Sequence, residues 1–403
     1  MSDGCLLHCR KRSYNSSTFL SASLAKCRPA TFAHNHRKTL ARVCGPTARL
    51  LQTVDRVNVE IHFVARSLKS QWPDIEALDE SAIARHAQRF RSGVNNWIVQ
   101  SYLRLREPLR HAGMTPTISD HFLPGCVNVA HRDSLNRLTV PYHRSYIVGI
   151  RADRPPLAAC QWEVEQNALE SGRPRARYLP PWPQPGLIPR DATRGTRIER
   201  IAYFGRTSAA PAWFYDHAFH DALGRLGVTF EIRDDQWFDY ADVDLVLAHR
   251  IEAATMLQHK PASKLINAWL AGTPALLADE PAFAHLKRSA LDYIAIETPQ
   301  DVIAAVDRLR ASPAEYLAMA DNGRRRGAAF SAQATKLRWM RFLLDDVVPD
   351  AIDWRNAQRS SRFGWLAQFG AMARQKIATK RFKLRVYREW QQRSYLRADG
   401  SRL

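Results

Sequence analysis

The sequence predicts an α/β protein of two units, each a mainly parallel sheet layered with helices. Three observations carry this. Short apolar runs bounded by turn residues alternate with stretches of helical spacing over residues 57–346, the rhythm of repeated strand–helix–strand units. The run Pro180-Pro-Trp-Pro-Gln-Pro-Gly-Leu-Ile-Pro189 divides that pattern in two, because its prolines fix extended backbone and forbid helix or central strand. A length of 403 residues is ample for two core-sized domains.

Residues 1–56 come first, rich in Ser, Thr, Arg and His, with no acid between Asp3 and Asp55. That composition fits a disordered basic arm. It equally fits an organellar transit peptide, or upstream sequence added by a wrong start codon. The first unit, 57–179, opens with 57–65, which alternates and then turns continuously apolar, as a strand does. Residues 93–110 carry helix spacing through Val94, Trp97, Ile98, Tyr102 and Leu105. Residues 117–119, 126–130, 146–150 and 157–164 are further strand candidates. After the linker, 180–197, the second unit spans 198–346. Its strands are expected at 198–204, 228–232, 243–248, 275–278 and 293–296, and its helices at 213–226, 300–309 and 313–326. A doubly wound sheet of this kind binds ligands beyond the carboxyl ends of its strands. The remainder, 347–403, reads as a basic helical tail carrying Trp365, Phe369, Phe382, Leu384, Tyr387, Trp390 and Tyr395 among many Arg and Lys. Such a helix lies on an anionic membrane surface. A helix packing back across the first unit is the competing reading.

Charge supports this division. The chain carries a net charge of +20, of which residues 1–56 hold +8 and residues 355–403 hold +11. The body between them is nearly neutral, so a nucleic-acid-binding core is not favoured. The six cysteines show no CxxC spacing and follow no secretory signal, which fits reduced thiols in a cytoplasm better than a disulfide framework or zinc site. No uncharged apolar run reaches bilayer length.

The most informative stretch is Lys260-Pro-Ala-Ser-Lys-Leu-Ile-Asn-Ala-Trp-Leu-Ala-Gly-Thr-Pro274. Pro261 and Ser263 are helix-start residues, Gly272 is a left-handed stop, and Pro274 prevents the helix from resuming. Leu265 with Trp269, and Ile266 with Leu270, form an apolar face. Lys264, Asn267, Ala268 and Ala271 form a second stripe that would let an anion approach the helix start, where free amides and the dipole favour negative charge. A capped amphipathic helix with Lys264 in solvent would read the same way.

The stretch resembles the donor-site helix of GT-B glycosyltransferases, in which a Lys-Leu-x-Glu-Ala-x-x-x-Gly-x-Pro pattern is frequent. Lys264-Leu265-Ile266-Asn267-Ala268 and Gly272-Thr273-Pro274 match it. Gly205-Arg206, after the first strand of the second unit, and the proline linker fit the same family. The match departs where retaining members carry two glutamates eight apart, since His259 and Asn267 stand there. The resemblance implies two Rossmann-like domains around a cleft. It further implies a metal-independent, hexosyltransferase-like enzyme moving a sugar from a nucleotide-diphosphate sugar to an acceptor hydroxyl on a glycan or glycolipid. No cofactor beyond that co-substrate and no nucleic-acid partner are expected. The place would be cytoplasmic, with the tail at the inner membrane face. A catalytically silent sugar-binding or scaffold subunit is the alternative.

Candidate residues follow from strand ends. Gly205, Arg206, Arg250, Lys260, Lys264 and Asn267 gather cations, an amide and a bare backbone on one rim, which suits a diphosphate. Glu280 follows the next strand and can hold a sugar hydroxyl, or merely offset a helix start. On the first unit, Asp120, His121 and His131, with Arg151, are candidates for proton transfer or acceptor binding. Asp242-Val-Asp244 has a metal-motif spacing but opens a strand, away from the ligand edge, so no essential metal is expected.

Overall fold

The computed structural model describes residues 59–135, 140–170, 172–359 and 364–398. The expectations for residues 1–56 lie outside the described residues, which all belong to one compact unit, Asn58–Leu403. Its first half comprises β1 (Glu60–Val64), α1 (Gln100–His111), β2 (Thr115–Ser119), β3 (Val127–His131), β4 (Tyr146–Ile150), β5 (Trp162–Glu165) and β6 (Ala176–Tyr178). All strand pairs are parallel, in the order β2-β1-β3-β4-β5-β6. Register sets Phe63 beside Val129 and Val129 beside Val148. Every residue of β3 and β4 is buried, as a sheet covered on both faces requires.

The second half comprises β7 (Arg200–Phe204), α2 (His217–Arg225), β8 (Thr229–Arg233), β9 (Leu245–Ala248), α3 (Ser263–Ala271), β10 (Ala275–Leu277), α4 (Pro281–Leu286), β11 (Ile294–Ala295), α5 (Pro299–Ala311) and α6 (Pro313–Ala328). Its sheet, β11-β10-β9-β7-β8, is again parallel. The α/β expectation of two Rossmann-like sheets therefore holds, in the paired arrangement that the GT-B resemblance implies.

Several local expectations are corrected. The strand expected at 157–164 begins only at Trp162, because Pro155 and Pro156 precede Leu157, which packs in a separate cluster with Ile147 and Leu135. The expected helix 213–226 is broken at Asp216, whose backbone is extended and whose carboxylate caps α2 by accepting from Ala218 N at 3.0 Å. Ser263 does not cap α3. It is the first helical residue, and Ala262 holds the cap position with no side-chain acceptor. Gly272 closes α3 as expected, at φ 69°.

The larger correction concerns the chain's return. After α7 (Ala332–Arg341), a π-helical turn over Phe342–Val347 leads into α8 (Val348–Arg359) and α9 (Gly364–Ala398). Trp339, Phe342, Leu343 and Val347 belong to the first sheet's core, with Phe63 and Val148. Trp339 stacks on Trp182 of the linker, with ring centroids 6.5 Å apart and planes 6° from parallel. Lys336 reaches Glu80 at 2.6 Å, and Arg177 reaches Asp346 at 2.6 Å. The expected boundary at 346/347 thus falls inside a segment that already covers the first sheet. Truncating Trp339 to Ala there should cost about 3–5 kcal/mol.

The tail also follows the packing-back reading. Gln375 of α9 donates to Pro156 O at 3.0 Å and accepts from Ala158 N at 2.6 Å, while Arg132 donates to Thr379 Oγ1 at 2.7 Å. Farther along, Glu389 accepts from Thr255 N at 3.0 Å, and Phe382 lies against His259. The one helix touches both halves. No helix among the described residues is long and apolar enough to cross a membrane.

Candidate functional site

The carboxyl ends of β3, β4, β7 and β9 border one cavity of about 510 Å³. That is where open parallel sheets place ligands, and the volume suits a small organic molecule.

The wall from the second half is cationic. The amino end of α3 carries no capping side chain, which leaves its first amides for a ligand or solvent. Lys264, one step inside, donates from Nζ to Phe204 O and lies 4.3 Å from the centre of the Tyr203 ring. Burial, then the neighbouring Arg250 charge, pull its pKa down to about 7, against the pull of Glu280. Gly205 makes this approach possible, since a Cβ there would come 2.8 Å from Lys264 Nζ and from the Tyr203 ring. Arg206 follows, exposed on the cavity rim. Of the stripe read from the sequence, Lys264 and Asn267 line the cavity, whereas Ala268 and Ala271 lie in the core.

Other expected cations are already partnered. Arg250 forms a two-point pair with Glu280, Nε to Oε1 at 2.9 Å and Nη2 to Oε2 at 2.6 Å, with both side chains buried. Burial works to lower the Arg250 pKa, and the Glu280 carboxylate more than offsets it. Glu280 therefore neutralises Arg250 and does not border the cavity in the way expected of a sugar-hydroxyl ligand. Lys260 is shared between Asp153 at 2.9 Å and Glu252 at 3.1 Å. Asn267 accepts from Gln184 N of the linker at 3.1 Å, so its carbonyl oxygen holds the two halves in register.

The wall from the first half is mixed: Arg91 and Arg154 line it beside Asp153, and Arg154 is paired with Asp133 at 3.1 Å. His131, at the end of β3, is buried, and burial holds its pKa well below the ordinary histidine value. Its Nδ1 accepts from Asp133 N at 3.2 Å, so the neutral ring carries its proton on Nε2. Gly93 leaves that nitrogen approachable, because a Cβ there would stand 3.3 Å away. In this tautomer His131 can donate from Nε2 and has no lone pair there to take a proton.

Asp120 and His121 are not brought to the cavity. They lie at the end of β2, the edge strand, exposed and paired with each other at 3.1 Å. Arg151 is buried between Glu163 at 3.5 Å and Glu165 at 3.6 Å. Asp244 is fully buried and held by Arg190 and Arg194, each at 2.8 Å, at the opposite end of β9 from the cavity. Among the described residues, no group of three or more His, Cys, Asp or Glu is placed to hold a metal.

Some cavity residues were not anticipated. Asp153 follows the end of β4, and the strand-end rule applied to His249-Arg250 would have found it. Trp237, in the loop after β8, lines the cavity with a buried indole N–H that has no hydrogen-bond partner among the described residues. Only an aromatic in a polar loop signalled it.

No protein-family model matches the chain, and no curated protein matches it. Solved structures resemble it at low identity. A structure of Anabaena HepE in complex with UDP aligns at 12% identity and TM-score 0.43, covering 71% of this chain and 100% of that one. AviGT4, a glycosyltransferase involved in avilamycin A biosynthesis, aligns at 15% identity and TM-score 0.38, covering 68% of this chain and 99% of that one. TarM aligns at 8% identity and TM-score 0.39, covering 54% of this chain, and the chain spans 55% of TarM's length.

Proposed function

We propose that the chain is a metal-independent glycosyltransferase that moves a sugar from a nucleotide-diphosphate sugar to an acceptor hydroxyl on a glycan or lipid-linked sugar. One observation carries this reading: Lys264, Arg206, the uncapped start of α3 and the bare backbone of Gly205 converge at one end of the cavity. That combination recognises a diphosphate, through amides aligned with the helix dipole, one ammonium and one guanidinium. Lys264 is half-charged near neutrality when nothing is bound. A diphosphate beside it restores the full charge, so it neutralises best when phosphate charge is present.

In this reading the donor's diphosphate sits against α3, with the sugar pointing across the cavity toward His131. As the bond between the anomeric carbon and the diphosphate oxygen breaks, negative charge grows on that oxygen. Lys264, Arg206 and the α3 amides stabilise it in place of a metal ion. His131 donates from Nε2 to a sugar or acceptor oxygen and acts as a positioning group. The Arg250–Glu280 pair keeps the floor of the site rigid and its second guanidinium neutralised, which leaves the free positive charge where the phosphates lie.

Thermal-shift measurements with UDP, GDP, ADP, CMP and TDP test the reading. A rise for one nucleotide, lost in Lys264→Ala and reduced in Arg206→Ala, is the expected result. Flat traces for all five would overturn it. Donor hydrolysis measured alongside separates an enzyme from a binding subunit, since a silent relative would shift without turning over.

A further inference from the structure

Of the eleven exposed large apolar side chains among the described residues, six lie on α9. Leu366, Ile377, Leu384 and Tyr387 are 51%, 51%, 45% and 58% exposed. Their placement is systematic. The residues that tie α9 to the body, Gln375, Thr379 and Glu389, share one face. At 3.6 residues per turn, Ile377 sits about 200° round the axis from Gln375, and Leu366 and Leu384 about 180°. Leu366, Ile377 and Leu384 therefore point directly away from the pinned face, and Tyr387 lies about 120° round, at the edge of the stripe. Lys376, Lys380, Arg381, Lys383, Arg385 and Arg388 flank it, all of them exposed. Between residues 370 and 392 the single acid is Glu389, and it is turned inward onto Thr255.

We propose that this outward face of α9 is a docking surface for an anionic lipid bilayer. An apolar stripe along a helix lying flat on the surface inserts at the boundary between headgroups and acyl chains. Cations on both flanks then meet lipid phosphates. The charge pattern selects this occupant over a second copy of the chain. Two such faces apposed would bring the flanking cations together with no acid between them. The inference does not depend on the donor reading, because none of these residues borders the cavity.

Flotation of the full chain with vesicles tests it, using phosphatidylcholine alone and a three-to-one mixture of phosphatidylcholine with phosphatidylglycerol. The expected result is binding to the anionic vesicles that weakens with salt and falls about tenfold or more in Ile377→Glu/Leu384→Glu. Both positions face outward, so the variant should keep its melting temperature and any nucleotide-induced shift. Equal binding by the double variant, or no binding of the wild type to the mixed vesicles, would overturn the proposal. A concentration-dependent dimer without lipid, dissolved by the same substitutions, would also overturn it and assign the face to a second copy.

Discussion

The two halves share one architecture and treat charge differently. In the first, one cluster of buried charges lies within and beside the sheet. Arg151, Glu163 and Glu165 are each at most 4% exposed, and Arg173 reaches Glu163 at 3.0 Å from the surface. That cluster is supported from several sides and does not border the cavity. In the second half, Asp244 with Arg190 and Arg194 is buried away from the site, while the buried pair Arg250–Glu280 stands directly beneath it, with Lys264 nearby and without a carboxylate of its own. A parallel sheet thus tolerates internal ions in either place. Where cations without carboxylate partners gather at the sheet's carboxyl edge, as Lys264 and Arg206 do, the arrangement becomes able to hold an anion.

The largest expected effect tests the pair beneath the site. Glu280→Ala leaves the Arg250 guanidinium buried and uncompensated, and should cost about 3–5 kcal/mol of unfolding free energy in urea titrations. A loss well below that would mean that Arg250 swings out to the cavity and serves as a ligand group itself. Next comes Lys264→Ala. Removing a charge-assisted hydrogen bond should weaken binding of the selected nucleoside diphosphate about ten- to a hundredfold by calorimetry. Retained affinity would transfer the role to Arg206 and the α3 amides.

A smaller effect is read in pH. With the Lys264 pKa near 7 in the free protein, the ammonium is present below neutrality and is lost as pH rises. Nucleotide affinity should be flat below that pH. Above it, affinity should fall by at most about tenfold per unit, with a proton taken up on binding. Lys264→Arg should abolish the slope, since a guanidinium does not titrate there. The smallest effect belongs to the first half. Burial, then hydrogen bonding and charge from Arg173 against it, leave Glu165 with a pKa raised to about 7. The folded state therefore holds a proton that the unfolded chain loses near pH 4.5, and stability declines as pH rises between the two. Glu165→Gln should remove that decline at a cost of about 1 kcal/mol, because Glu163 still answers both arginines.

Sequence periodicity revealed what is local. The stretch around Lys264 and Gly272 showed its helix, its stop and its cation, and the strand ends at Gly205 and His131 both border the cavity. What escaped is non-local. Nothing in Asp120-His121 says that β2 is an edge strand carried away from the cavity, whereas Asp153, equally unremarkable in sequence, follows a central one. Trp339 and Phe342 have ordinary helical spacing, and only the fold shows that they belong to the core of the other half. The Glu280–Arg250 pairing joins residues thirty positions apart across two strand ends. It turned an expected ligand residue into a counter-ion.

The long helix α9 is pinned to the first half at Gln375 and Thr379 and to the second at Glu389. Between the first and last of these pins the helix rises about 21 Å without a break. A rod fastened at both ends sets the spacing of the two halves along that side, as a hinge pin does for a door. Swinging about its axis would break contacts that join the halves elsewhere, Lys260–Asp153 and Gln184–Asn267 among them. Drawing them straight apart would sacrifice Glu389–Thr255 or Gln375–Ala158. The rod and these cross-half contacts together hold the spacing of the cleft.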